Sequence, residues 1–225
     1  MHPITRTLLK KHDIGYILQE TQSILANEAE MRATFYEWVD SSMKAEFING
    51  EIVVHSPALH IHTVIRTHLS RLADCYVTKH SLGIVCDEKA MIHCLRNSYE
   101  PDICFWENEK AAAIHDQTSI YPVPDWIVEI LSKSTKKRDR GIKFQDYAGH
   151  KVAEYWIIDP ETSIIEQYHL AAPQDTIYTL LATYSEKDTI QSLAIKGFTI
   201  PVAAIFDKNE NWKTLTALGN EEELA

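Results

Sequence analysis

The centre of the chain alternates between apolar and basic segments. Residues 126–131 read WIVEIL and residues 154–159 read EYWIID, and both are apolar at most positions, as strands buried on both faces are. The segment between them is rich in lysine and arginine and has the character of a helix. Strand, helix and strand at this spacing predict a strand–helix–strand unit.

Two acidic residues interrupt the apolar strands. Glu129 lies within the first of them, and Asp102, 27 positions earlier, begins another apolar run. Burying a lone carboxylate is costly unless a cation, a metal or a proton offsets the lost hydration; an exposed edge strand is the alternative for Glu129. Two carboxylates on neighbouring strands suit a divalent cation, which can activate water against a phosphate ester.

A β-hairpin is predicted around Asn49-Gly50, because this pair is the favoured two-residue turn. The turn pairs residue 48 with residue 51, and the two-residue period of a strand then puts Glu46 and Glu51 on one face. Positions 47, 52 and 54 take the other face, toward the core. The acidic face either meets solvent or forms the rim of an acidic site.

A helix is predicted from Ser56-Pro57, with serine as the N-cap and proline in the first turn. His60 falls in that turn, where it can reach a site at the ends of neighbouring strands or serve the structure alone. Within residues 1–30, one short helix could be supported by Leu8, Leu9, Ile14, Ile17 and Leu18. We predict an N-terminal extension over residues 1–30 and a flexible C-terminal tail over residues 209–225.

The basic segment contains a predicted helical stripe. Lys136, Arg140, Lys143 and Tyr147 recur at spacings of four, three and four. Lys143 stands between two apolar residues, so we predict that its amine points toward the two carboxylates, with Tyr147 packed along its stem. Lys136 and Arg140 lie nearer the polar start of the helix, and we predict that they bind phosphate or meet water. A solvated helix face is the alternative for the whole run.

Composition narrows the possible functions. The 225 residues are 45% hydrophobic, which suits one well-packed domain, and the net charge of −10 argues against loose binding to nucleic acid. The absence of a long apolar run and the polar first residues predict a cytoplasmic protein with no membrane partner. The 4 cysteines lack C-x-x-C spacing, which disfavours zinc. No dinucleotide, P-loop or G-x-S-x-G motif occurs.

Six segments together resemble one protein family. In chain order they read EFINGEIVV, SPALH, EPDI, PDWIVEILSKST, KFQDY and EYWIIDP. This order is similar to that of the Uma-two family, which belongs to the restriction-endonuclease-like PD-(D/E)XK superfamily. The resemblance implies an α/β (α+β) domain over residues 31–208, with a mixed central sheet flanked by helices and extra β-hairpins.

The resemblance also implies a site. Asp102 matches the first motif acid and Glu129 the second, but Leu131 occupies the position of the superfamily lysine. Lys143 fits the following helix, from which family members supply this lysine. The implied site has Asp102 and Glu129 as ligands of Mg2+ or Mn2+ and Lys143 as a further catalytic residue, with DNA as the partner and a homodimer as the expected assembly. The rim would consist of Glu46, Glu51, His60 and Tyr147.

Three functions stay open at this point. The first is a Mg2+- or Mn2+-dependent endonuclease that hydrolyses phosphodiester bonds of DNA. The second is a catalytically inactive nuclease fold that binds DNA or protein, which the missing lysine at Leu131 and the negative charge favour. The third is a metal-dependent phosphatase that uses the same ligands on small substrates. Metal binding that depends on the two carboxylates separates the enzymes from the binding module.

Overall fold

The computed structural model describes residues 3–40 and 42–220 of the chain. They form two compact units, one made of residues up to 55 together with residues 95–98, the other of residues 56–94 and those from 99 onward. The predicted boundary near residue 30 does not coincide with this division. Residues 95–98 join the first unit because Ser98 pairs with Phe47 between two antiparallel strands, a contact that sequence spacing does not reveal.

Eight helices and thirteen strands occur in the described residues. The helices are α1 (Pro3–Leu8), α2 (Ile14–Trp38), α3 (His60–Lys79), α4 (Asn108–Ala111), α5 (Lys136–Asp139), α6 (Ile142–Gly149), α7 (Ala203–Phe206) and α8 (Lys208–Asn220). The strands are β1 (Ala45–Ile48), β2 (Glu51–Val54), β3 (Gly83–Asp87), β4 (Met91–Cys94), β5 (Asn97–Tyr99), β6 (Ile103–Glu107), β7 (Ile120–Tyr121), β8 (Trp126–Ile130), β9 (Glu154–Asp159), β10 (Ile164–His169), β11 (Thr179–Tyr184), β12 (Thr189–Gln191) and β13 (Thr199–Pro201).

The predicted hairpin is present in the first unit. Strands β1 and β2 pair antiparallel with Ile48 opposite Glu51, and the turn residues Asn49 and Gly50 both have positive φ, as a type I′ turn requires. The predicted faces are wrong: β1 is buried at every position, whereas β2 is largely exposed. The reason is that β1 lies between β2 and β5, while β2 is an edge strand.

Helix α2 replaces the single short helix expected near the N-terminus. Its second half packs on the hairpin, with the rings of Phe35 and Phe47 5.9 Å apart. Arg96 donates to both carboxylate oxygens of Glu28 at 2.6 and 2.5 Å, and these bonds lower the pKa of the Glu28 carboxyl. Arg32 also donates to the carbonyl oxygens of Leu95 and Arg96, so polar contacts fix this half of the helix.

A six-stranded mixed sheet organises the second unit. Its strand order is β11-β10-β9-β8-β6-β3, with β8 and β9 parallel and the other neighbours antiparallel. Helices α5 and α6 connect β8 to β9, which confirms the predicted strand–helix–strand unit. Residues from α3, α7, α8 and the strands form the apolar core, in which the rings of Trp126 and Trp156 meet edge to face at 5.0 Å.

The predicted flexible tail is wrong for residues 209–220, because α8 packs on the rest of the second unit. Asn211 is fully buried, and its amide donates to the carbonyl oxygens of His68 and Ala204 at 3.0 and 2.7 Å. Leu218 adds a buried apolar contact near the end of the helix. Residues 221–225 of the predicted tail lie outside the described residues.

Candidate active site

Asp102 and Glu129 come together at one edge of the six-stranded sheet, namely the edge formed by the ends of the neighbouring inner strands β6 and β8. Strands β6 and β8 are antiparallel with Ile103 opposite Val128, and one further step of this register sets Asp102 opposite Glu129. Directly opposite residues point to the same face of a sheet. Both side chains are buried, with Asp102 2% and Glu129 3% exposed. The edge therefore carries two neighbouring carboxylates that are shielded from bulk water.

The carboxylate of Asp102 is held from two sides. Its Oδ2 accepts a hydrogen bond from the backbone N–H of Ile130 at 2.9 Å. The same oxygen lies 3.1 Å from Nε2 of His62, a residue of the first turn of α3. Asp102 thus links the end of β8 to the start of α3.

Glu129 receives two hydrogen bonds from α6. Its Oε1 accepts one from Nζ of Lys143 at 2.9 Å and one from the hydroxyl of Tyr147 at 2.8 Å. Lys143 and Tyr147 are four residues apart, so they share one face of the helix. Lys143 is 1% exposed, and its ammonium also lies 3.5 Å from Oδ1 of Asp139. The expected contact between Lys143 and Glu129 is therefore present.

A break in the helical segment sets the direction of Lys143. The predicted single stripe is wrong, because α5 ends at Asp139 and α6 begins at Ile142. At Gly141 between them, an added Cβ would lie 2.7 Å from the carbonyl oxygen of Lys137, so a side chain would force the backbone to shift. The close turn lets α6 point Lys143 inward, while the preceding basic members of the predicted stripe point elsewhere.

Lys136 and Arg140, predicted to bind phosphate, already have acidic partners. Nζ of Lys136 lies 3.2 Å from Oδ2 of Asp159. The guanidinium of Arg140 makes two bonds to Glu166 at 2.6 and 2.8 Å, which lower the pKa of the Glu166 carboxyl. Both cations precede Gly141 and lie on the side of β9 and β10 rather than at Glu129.

The site carries more negative than positive charge. Asp102, Glu129 and Asp139 are buried carboxylates, and Lys143 is the buried ammonium among them. These negative charges act on Tyr155, whose hydroxyl donates a hydrogen bond to the carbonyl oxygen of Asp139. Burial first, and then these three carboxylates, raise the pKa of Tyr155 well above its usual value. A cluster of this charge attracts a further cation.

The donor atoms fit a sparsely held Mg2+ better than a protein cage. Carboxylate oxygens are the hard donors that Mg2+ and Mn2+ prefer. Within residues 3–40 and 42–220, no group of three or more His, Cys, Asp or Glu side chains is arranged to hold a metal. Mg2+ usually keeps several waters and needs only one or two carboxylates, so Asp102 and Glu129 suit this mode of binding.

The predicted rim residues have different positions. His60 is exposed at the start of α3, and His62, two residues later, is the histidine at Asp102. Glu46 is fully buried in the first unit, with its Oε2 2.9 Å from Nε2 of His55, and Glu51 is exposed on β2. Tyr147 is a buried hydrogen-bond donor to Glu129 rather than a rim residue.

Sequence reasoning missed His62 and Asp139. The helix was expected to begin at Pro57, with Ser56 as its N-cap, but it begins at His60, and residues two apart on a helix point to nearly opposite sides. Asp139 carried a usable signal, because it lies four residues before Lys143 and such a spacing pairs opposite charges. The turn at Gly141 keeps that pairing without a continuous helix.

The sheet and its edge define a restriction-endonuclease-like domain. The chain is similar in structure to a crystal structure from Anabaena variabilis described as a "putative nuclease belonging to DUF820", with a TM-score of 0.64 and 17% identity over 80% of this chain and 96% of the other. This likeness shows the fold and confirms the predicted mixed sheet flanked by helices. Residues 32–203 match the model of the Uma2 family, described as "Putative restriction endonuclease", and the protein belongs to this family.

Two proteins of Synechocystis sp. (strain PCC 6803) are similar in sequence. The uncharacterized protein slr1290 is 27% identical over 184 residues, which cover 76% of this chain and 88% of the relative. The uncharacterized protein sll1609 is 29% identical over 140 residues, or 61% and 78% of the two chains. Their names state no activity, so the family description alone supports a nuclease-like function.

Proposed function

We propose that this protein is an endonuclease that hydrolyses phosphodiester bonds of DNA with the help of a divalent metal ion. The observation that carries the proposal is the hydrogen bond between Lys143 and Glu129, in the buried cluster that also contains Asp102. Leu131 leaves the usual lysine position apolar, and an ammonium from α6 stands beside the second motif acid instead. Membership of the Uma2 family supports the same reading.

Asp102 and Glu129 would hold Mg2+ or Mn2+ in this enzyme. The bound metal would supply an activated water and stabilise charge on the phosphate. His62 and the N–H of Ile130 fix the orientation of Asp102, and Tyr147 does the same for Glu129. The ammonium of Lys143 would stabilise the charge that develops in the transition state.

The proposal includes DNA as partner, a cytoplasmic location and a homodimer. Cleavage of both strands of a duplex takes two hydrolysis events, which the two active sites of a homodimer would carry out together. Among the helices that the structure describes, none has the length and apolar character that a bilayer span requires. These parts of the proposal rest on family membership. They are tested independently of the chemistry of the site.

One observation favours the second function, a nuclease fold that binds without cleaving. The three proposed catalytic residues are between 1% and 3% exposed, so a phosphate reaches them only if the surrounding residues move. Such burial also suits a cluster that merely stabilises the sheet edge. The two functions differ in whether the carboxylates bind a metal.

Calorimetric titration with Mn2+ tests the proposal. We expect the wild-type protein to bind the ion and Asp102→Asn to bind it much more weakly, because the variant loses one of two anionic ligands. The exposed Glu161→Gln is the matched control and should bind as the wild type does. If wild type and Asp102→Asn give the same isotherm, or neither binds, the metal-dependent enzyme is ruled out.

A further inference from the structure

The turn between β8 and α6 carries the densest positive charge of an otherwise acidic chain. Residues 133–140 contain five lysine or arginine side chains and one acid, Asp139, against a net charge of −10 for the whole protein. Asp139 is buried and faces Lys143, so it does not offset the charge at the surface of the turn. A phosphate backbone is attracted by local positive charge, and this turn is where the chain concentrates it.

The turn lies next to the candidate active site. It follows β8 directly, and the carboxylate of Asp139 within it lies 3.5 Å from the same ammonium that binds Glu129. Its start is fixed by hydrogen bonds between Ser132 and Thr135, including both backbone N–H groups. The side chains that it exposes are therefore displayed from an ordered loop beside Lys143.

Some of the cations at this edge form ion pairs with carboxylates, and others do not. Lys136 and Arg140 bind Asp159 and Glu166. Nearby on the same sheet edge, Arg66 pairs with Asp87 and Glu88 at the end of β3, and Lys89 lies 4.0 Å from Glu100. A cation that already has a carboxylate partner releases little free energy when it meets a phosphate, because the pair must first be broken.

Three cations of the turn have no acidic partner in residues 3–40 and 42–220. They are Lys133, Lys137 and Arg138. Lys133 and Lys137 are exposed. Arg138 is half-buried, and its Nε–H is shielded from solvent and donates a hydrogen bond to no residue that the structure describes. We propose that these three residues, rather than Lys136 and Arg140, contact the phosphate backbone of duplex DNA beside the active site. The inference rests on the proposed function and names the surface through which that function meets its substrate.

Salt-dependent binding of a fluorescein-labelled DNA duplex, measured by anisotropy with EDTA present, tests this surface. Each phosphate contact contributes about −0.9 to the slope of log affinity against log salt concentration. The variant Lys133→Gln/Lys137→Gln/Arg138→Gln should therefore bind more weakly and lose roughly 2.7 from the magnitude of the slope. The conservative variant Lys133→Arg/Lys137→Arg/Arg138→Lys should keep the wild-type slope.

Two controls separate this surface from general charge effects. Lys187→Gln/Lys196→Gln/Lys208→Gln removes the same charge from exposed lysines elsewhere in the second unit and should leave the slope unchanged. Lys136→Gln with Asp159→Asn removes one ion pair without changing the net charge and should also bind as the wild type does. Melting temperatures equal to that of the wild type show that each variant is folded.

The outcomes distinguish the surface from the proposed function. If the wild type binds the duplex and the two triple glutamine variants lose affinity equally, or the variant of the turn keeps the wild-type slope, the surface is wrong and DNA remains the partner. If the wild type does not bind the duplex even at low salt, the proposed function itself is overturned. Loss confined to the variant of the turn supports both.

Discussion

Lys143 shows how far one residue can be predicted from its neighbours. It stands between Ile142 and Phe144 in a basic segment, and this local pattern indicated that its amine points inward. The structure places the amine 2.9 Å from Glu129. His62 could not be predicted in this way, because α3 begins at His60, three positions after Pro57, where the sequence predicted its first residue.

Replacing Lys143 by methionine should lower the free energy of unfolding by about 3–5 kcal/mol, because buried carboxylates lose their ammonium. Cleavage should be lost, whereas Mn2+ binding should be retained, since the lysine serves the transition state rather than the ion. Urea unfolding, plasmid cleavage and calorimetric titration with Mn2+ measure the three quantities. Lys136→Met is the control, and its exposed ion pair with Asp159 should contribute at most about 1 kcal/mol. Wild-type cleavage by Lys143→Met would contradict the role given to this lysine.

His62→Ala and His60→Ala form a second matched pair. His62 contacts Asp102, and removal of a group that orients a metal ligand typically costs about 10–100-fold in affinity or activity. We therefore expect weaker Mn2+ binding and slower cleavage for His62→Ala. His60 is exposed and its removal should change neither quantity. Equal effects of the two substitutions would mean that His62 has no special role at the site.

Among the elements, local turn chemistry was predictable and burial was not. Asn49-Gly50 fixed both the hairpin and its register, which the structure confirms. The faces of β2 were assigned wrongly, because only the sheet order shows that β1 is covered on both sides and β2 lies at the edge. The same limit applies to α5 and α6, where spacing predicted one helix and the turn at Gly141 makes two.

Gly141→Ala tests the importance of that turn. The added methyl group would lie 2.7 Å from the carbonyl oxygen of Lys137, so the backbone must move. We expect a loss of about 1–3 kcal/mol in the free energy of unfolding, as for overpacked sites, and slower cleavage because Lys143 follows the turn by two residues.

Gly149→Ala is the matched control for this substitution. Apart from the adjacent residues and the backbone of α6 itself, no atom lies within 4 Å of the added group at position 149, at the end of this helix. Alanine there should be neutral or should stabilise by about 0.4–1 kcal/mol through the unfolded state. Chemical denaturation of both variants makes the comparison, and an unaffected Gly141→Ala would show that the turn tolerates a side chain.

At the scale of the whole molecule, the order of motifs predicted the fold and the family. The mixed sheet of the second unit and the family match over residues 32–203 agree with that prediction. The division into two units was not predictable, because it depends on the pairing of Ser98 with Phe47 of the hairpin, 51 positions earlier. The net charge of −10 alone argues against DNA binding. The structure separates the cations that pair with carboxylates from those that do not, and only the latter are proposed to contact phosphate.

Relaxation of supercoiled plasmid DNA tests the proposed metal-dependent endonuclease activity most directly. In the presence of Mg2+ or Mn2+, the wild-type protein should nick the plasmid, and nicking should stop when EDTA is added. Glu129→Gln keeps the size of the side chain but removes a metal ligand, so its rate should fall by at least about a hundredfold. Glu161→Gln, an exposed control, should nick at the wild-type rate. Equal nicking by wild type and Glu129→Gln, or none by the wild type with either ion, would contradict the account.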